Sequence, residues 1–215
     1  MHADENKGRC RRHSKKGARG AAKEGIGMSE LKVPVGANDH IRGPKTAAVT
    51  LVEYGDYECP FCGAAHPVVQ ALGQAFANDL RIVFRHFPLT QIHPNAESAA
   101  ETAEFAGAHG LFWPMHDALF EQQRWLSIPL LISLVRAFQL SDSELLHALQ
   151  VGTFRPKVRN DFLGGVRSGV NGTPTFFINN KRHNGSYDYE TLSSAIAAQL
   201  AQAKVSEPVR IPVRP

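Results

Sequence analysis

Two cysteines separated by two residues, Cys59-Pro60-Phe61-Cys62, carry the strongest chemical signal in this chain of 215 residues. They follow a β-branched, apolar run and open a stretch with helical spacing. A cysteine at a helix start faces unpaired backbone N–H groups and the positive end of the helix dipole. Both favour thiolate over thiol, so the Cys59 pKa is expected to fall to roughly 3.5–7.5. Cys62, one turn further in, is expected to be buried and protonated until needed. Such a pair closes a short disulfide and exchanges it with other thiols, Cys59 attacking and Cys62 resolving. Pro60 suits the first helical turn, where a missing N–H costs nothing. Phe61 adds an apolar, uncharged surface beside the sulfur.

Glu53 interrupts the apolar run six residues before Cys59. A buried lone carboxylate has a raised pKa, which suits a proton carrier for the Cys62 thiol; on a solvent-facing side of the strand it would have no such role. Gly172-Thr173-Pro174 precedes another apolar run. A proline there fits a cis peptide bond in a tight turn, with Thr173 offering its backbone to an extended substrate. Read alone it is only a loop. A zinc site is the competing reading of the cysteines. It needs four ligands, and His66 supplies a third at most. His86, His93, His109 and His116 show no metal-binding spacing, so no metal is expected.

The elements that must position these residues follow from periodicity. Residues 46–56 read as a buried strand, 59–79 as a helix and 80–89 as a second strand, most simply parallel to the first. Residues 94–170 hold five amphipathic segments without strand pattern. Ser141 and Glu144 there form a capping box, and Phe105, Phe112, Trp113 and Phe120 are core candidates. Residues 173–187 return to strand pattern, with Asn179-Asn180 as a hairpin turn, and 187–203 is a last helix. The expected fold class is α/β: a thioredoxin fold, residues 31–92 and 171–203, with an inserted all-helical subdomain, 93–170. Residues 1–30 are expected to be a disordered basic tail and 204–215 an extended, proline-rich one.

Composition supports a globular body. Apolar residues make up 43% and charged residues 20%, unlike a disordered chain or a coiled coil. Three cysteines cannot form a disulfide framework. The longest apolar run, 125–135, contains Pro129 and is too short to span a bilayer. The net charge of +4 belongs to the tail: residues 1–25 hold eight basic and three acidic side chains, leaving 16 basic and 17 acidic elsewhere. The body therefore has no field for nucleic acid. Composition turns globular at Met28, the expected true start, and Cys10 lies ahead of it. No apolar stretch of about 7–15 residues follows the early charges. A cytoplasmic location is expected, a periplasmic one if the start is misassigned.

Three segments, residues 49–67, the strandless helical block and residues 169–192, resemble the DsbA family of thiol–disulfide oxidoreductases. The branch most similar is that of small DsbA-like thioredoxin proteins also found fused to the C-terminus of some NhaA-type sodium/proton antiporters. The resemblance covers about residues 31–203. It implies that Cys59 attacks, Cys62 resolves, Glu53 is the family's buried acid and Thr173-Pro174 is its cis-proline loop. It also implies cysteine-containing protein or peptide substrates, a redox-recycling partner, and no cofactor beyond the redox disulfide, with glutathione as a candidate redox partner. Pro-Phe in place of Pro-His, and Thr rather than Val before the proline, argue against a strongly oxidising potential. The alternatives are a glutathione-linked transferase or isomerase on the same fold, or a non-catalytic redox-sensing module.

Overall fold

The computed structural model describes residues 29–206. The expectations for residues 1–28, including Cys10 and the start at Met28, and for the tail from 207 onward lie outside the described residues. Within them the strands are β1 (His40–Arg42), β2 (Val49–Gly55), β3 (Leu80–His86), β4 (Thr175–Ile178) and β5 (Lys181–Arg182). The helices are α1 (Pro60–Ala75), α2 (Ala96–Ala108), α3 (Phe112–Glu121), α4 (Ile128–Ala137), α5 (Asp142–Val151), α6 (Arg155–Arg167) and α7 (Tyr189–Ser206). No helix among the described residues is long and apolar enough to cross a membrane.

The five strands form one sheet in the order β1-β3-β2-β4-β5. β2 and β3 are parallel, joined through α1, while β4 runs antiparallel to β2 and places Phe176 opposite Glu53. β2 is central, and its side chains alternate between two covered faces. Val49 and Leu51 pack with Ala65, Val69 and Leu72 of α1 and with Leu192 and Ile196 of α7. Val52 and Tyr54 face the other way, toward Val83, Phe87 and Phe177. Glu53 shares the parity of Val49 and Leu51, so the strand's own period turns it toward α1.

β1 does not emerge from the sequence pattern. Three residues carry no readable period, and the strand exists by antiparallel pairing with β3. The N-terminal boundary also moves. Glu30 bridges Lys181, and Leu31 N–H donates to the Asn180 carbonyl at 2.8 Å, so the ordered body includes residues placed in the tail. At the other end α7 continues to Ser206, into the segment expected to be extended.

The helices α2–α6 all lie between β3 and β4 in the chain. Phe105, Phe112 and Phe120 are buried in their core, and Trp113 is half-buried between that core and the α1 layer. α6 behaves differently from its neighbours. A Cβ at Gly165 would come 2.7 Å from Phe87 and 3.0 Å from Tyr54, so glycine lets this helix lie directly on the sheet. By packing, α6 is the layer that covers the second sheet face. The hairpin turn has Asn179 and Asn180 at φ 45° and 70°, the positive pair that a two-residue type I′ turn requires.

Ser141 caps α5, its hydroxyl accepting from the Glu144 N–H at 3.2 Å. Ser141→Ala should lower unfolding free energy by about 1 kcal/mol, measured by urea denaturation, with the sheet unchanged in circular dichroism.

Candidate active site

β2 ends at Gly55, and four residues later the chain enters α1 with Cys59 as N-cap and Pro60 in the first turn. The intervening loop is held by Asp56, which the sequence reading passed over. Its buried carboxylate accepts from Glu58 N–H, Leu89 N–H and His93 Nδ1, each at 2.8 Å. Its backbone carbonyl accepts from Cys59 N–H at 3.2 Å, and its N–H reaches Cys62 Sγ at 3.4 Å. Gln123 is the second residue that went unread. It follows α3, and its amide nitrogen donates to the carbonyls of Tyr57 and Cys59, both at 2.8 Å. A Cβ at Gly63 would collide with that amide. No spacing rule in a single sequence points to Gln123, because its partners are backbone atoms more than 60 residues away.

Both cysteines are free thiols. The Cys59 pKa is lowered to about 5. The first cause is a hydrogen bond from the Cys62 thiol; Thr173 and the backbone of Cys62 and Phe61 add to it, against the opposing effect of burial. The backbone amides thus help, as the helix start implied, but a neighbouring S–H leads. Cys62 moves the other way. Burial raises its pKa well above the ordinary thiol value, and Glu53 and Cys59 raise it further. Cys62 is fully buried, whereas Phe61 beside it is 61% exposed.

The Thr173–Pro174 peptide bond is cis. Cys59 Sγ lies 3.4 Å from the Thr173 carbonyl oxygen, so this loop faces the sulfur. Thr173 Oγ1 is buried without a hydrogen-bond partner of its own. Glu53 is 3% exposed, and its Oε1 also has no partner among the described residues. Burial first, and the Cys59 charge second, raise its pKa to about 8. The solvent-facing alternative for Glu53 is therefore excluded. Among the described residues neither cysteine belongs to a cluster of three or more metal-ligating side chains; His66 lies beside His116 and Asp117 instead.

The sequence profile of the family described as thioredoxin matches residues 36–198. The chain belongs to the thioredoxin family. Thioredoxin-family likeness extends to curated relatives: a Na(+)/H(+) antiporter, NhaA 1, of Salinispora arenicola is 44% identical over 180 residues, 83% of this chain and 28% of that protein. The NhaA antiporter of Herminiimonas arsenicoxydans is 37% identical over 79% of this chain and 27% of its own length. The chain thus spans under a third of the curated relatives it matches. Among solved structures, BdbD from Bacillus subtilis superposes with a TM-score of 0.72 at 24% identity, covering 81% of this chain and 97% of that one. Wolbachia pipientis alpha-DsbA1 gives 0.71 at 21%, covering 81% and 96%. These likenesses establish the fold as the DsbA-like thioredoxin fold with a helical insertion.

Two measurements follow from the opposed pKa values. The Cys59 alkylation rate should rise with a midpoint near pH 5; a midpoint at the ordinary thiol value of about 8.5 would show that nothing holds the thiolate. Glu53 has a folded pKa above its unfolded value. It binds more protons folded than unfolded between about pH 4.5 and 8, so its contribution to stability falls as pH rises through that window. Glu53→Gln should therefore gain stability over the parent chain by on the order of 1.4 kcal/mol per pH unit there, levelling off above it. Parallel thermal melts from pH 4.5 to 9 read this directly.

Proposed function

We propose that the protein is a thiol–disulfide oxidoreductase that exchanges its Cys59–Cys62 pair with cysteines of protein or peptide substrates through a mixed disulfide. The observation that carries this reading is the split between an acidic Cys59 sulfur and a buried, proton-holding Cys62 beside it. In the reducing direction the Cys59 thiolate attacks one sulfur of a substrate disulfide. One substrate S–S bond breaks, a Cys59–substrate disulfide forms, and the other substrate sulfur leaves as a thiolate. Cys62 then gives up its proton and attacks Cys59. The substrate leaves reduced and the protein oxidised. In the oxidising direction the same steps run backward, beginning with a substrate thiolate that attacks Cys59 of the disulfide.

Glu53 suits the proton step. Part of its raised pKa comes from the Cys59 negative charge. Mixed-disulfide formation removes that charge, so the carboxyl ionises more readily at the stage when Cys62 must lose a proton. The carboxylate takes the proton, and a later exchange with solvent returns it. Thr173 and Pro174 border the sulfur opposite the helix end and offer backbone to an extended substrate, while Pro60 and exposed Phe61 form the near lip. The antiporter relatives support a setting in which this unit serves a larger protein.

A Cys59 pKa of about 5 lies between the values of about 7 and about 3.5 typical of a thioredoxin-like reductant and a strong oxidant. The pair should accordingly equilibrate with glutathione at a potential between about −270 and −120 mV. Cys59→Ser should abolish turnover of a model peptide disulfide. Cys62→Ser should accumulate a protein–peptide disulfide visible by mass spectrometry. Turnover that survives Cys59→Ser, or a pair that cycles with peroxide and never exchanges with a peptide, would overturn the reading.

A further inference from the structure

We propose that His66, His116 and Asp117 form a binding site for one divalent cation of the zinc class, separate from the sulfur pair. The three side chains come from two helices: His66 from α1, His116 and Asp117 from α3. One potential ligand atom of each lies within 4.8 Å of the others. His66 Nε2 stands 3.7 Å from Asp117 Oδ1. Both of those atoms are buried without a hydrogen-bond partner, and His66 as a whole is only 7% exposed. Unpaired buried polar atoms are costly to leave unsatisfied, and here two converge on one point.

The surroundings fit an ion rather than a missing hydrogen bond. His116 Nδ1 pairs with the Tyr57 hydroxyl at 3.0 Å, which leaves Nε2 as the nitrogen available for ligation. Such an outer partner fixes ring orientation in metal sites. Arg42 holds the other Asp117 oxygen at 2.6 Å, aiming Oδ1 at the imidazoles. That guanidinium also lies 4.4 Å over the Trp113 ring. All three residues line a cavity of about 370 Å³ that also reaches Glu53 and the Trp113 edge, giving room for a water as fourth ligand and a route in. Two imidazoles and one carboxylate with an open position match zinc. Calcium and magnesium prefer all-oxygen ligand sets. The nearby Arg42 charge, paired with Asp117, opposes a cation there and sets a limit on its affinity.

The redox cysteines also attract zinc, so the test removes that pair. Zinc chloride is dialysed against the full-length Cys59→Ser/Cys62→Ser protein, with His66→Gln or Asp117→Asn added singly and thermal melts confirming that each variant folds. One zinc per chain is expected, with two imidazoles in its X-ray absorption spectrum. Either added substitution should weaken binding about tenfold or more, and excess calcium should not compete. Absence of binding to the double-serine protein, or binding that neither substitution weakens, would overturn the proposal. The X-ray absorption arm decides even where a substituted chain fails to fold, since a spectrum without imidazole scattering is equally fatal.

Discussion

A sulfur that is negative at neutral pH and a carboxyl that is not both bear on the same buried thiol. That arrangement is the constraint on which the rest of the molecule depends. Cys62 is fully enclosed, and the negative charge on either neighbour makes its own ionisation harder. The charge can be negative at Cys59 only because several donors converge there. Glu53 can stay neutral only because the central strand is covered on both faces. Remove the covering layers and the difference between the three groups vanishes into water. The sheet, α1, α6 and α7 are in that sense what keeps one proton on one side of a line and a negative charge on the other.

Much of this was legible in the sequence because it is local. The strand, helix and strand around Cys59 follow from periods of two and 3.6 residues, whereas which face Glu53 takes is settled only by the packing of β2 against α1. The Asn179-Asn180 turn and the Ser141 cap are short-range chemistry and appear where the residues stand. β1 was invisible because three residues have no period, and only the neighbouring strand makes them a strand. That α6, part of the insertion, also lies on the sheet was not legible, because it depends on Gly164 and Gly165 meeting Tyr54 and Phe87, a contact between segments far apart in the chain.

The site shows the same division. Cys59, Cys62 and Glu53 announce themselves by type and position. Asp56 and Gln123 do not, since they act on backbone atoms, and any sequence supplies those. The order of causes at Cys59 was also beyond reach of spacing: the leading contribution comes from a side-chain S–H whose direction depends on the fold. Likewise His66 and His116 look unrelated when counted along the chain, and only helix packing brings their rings to 5.4 Å.

The single amide of Gln123 has a consequence for how this architecture can vary. Its two N–H bonds end on the carbonyls of Tyr57 and Cys59, inside the redox loop, so the insertion is riveted to that loop rather than hung beside it. A graft that swaps in a shorter or longer helical cap will keep the loop's shape only if it returns an amide to that spot and leaves Gly63 bare. Modularity in this scaffold stops at one side chain.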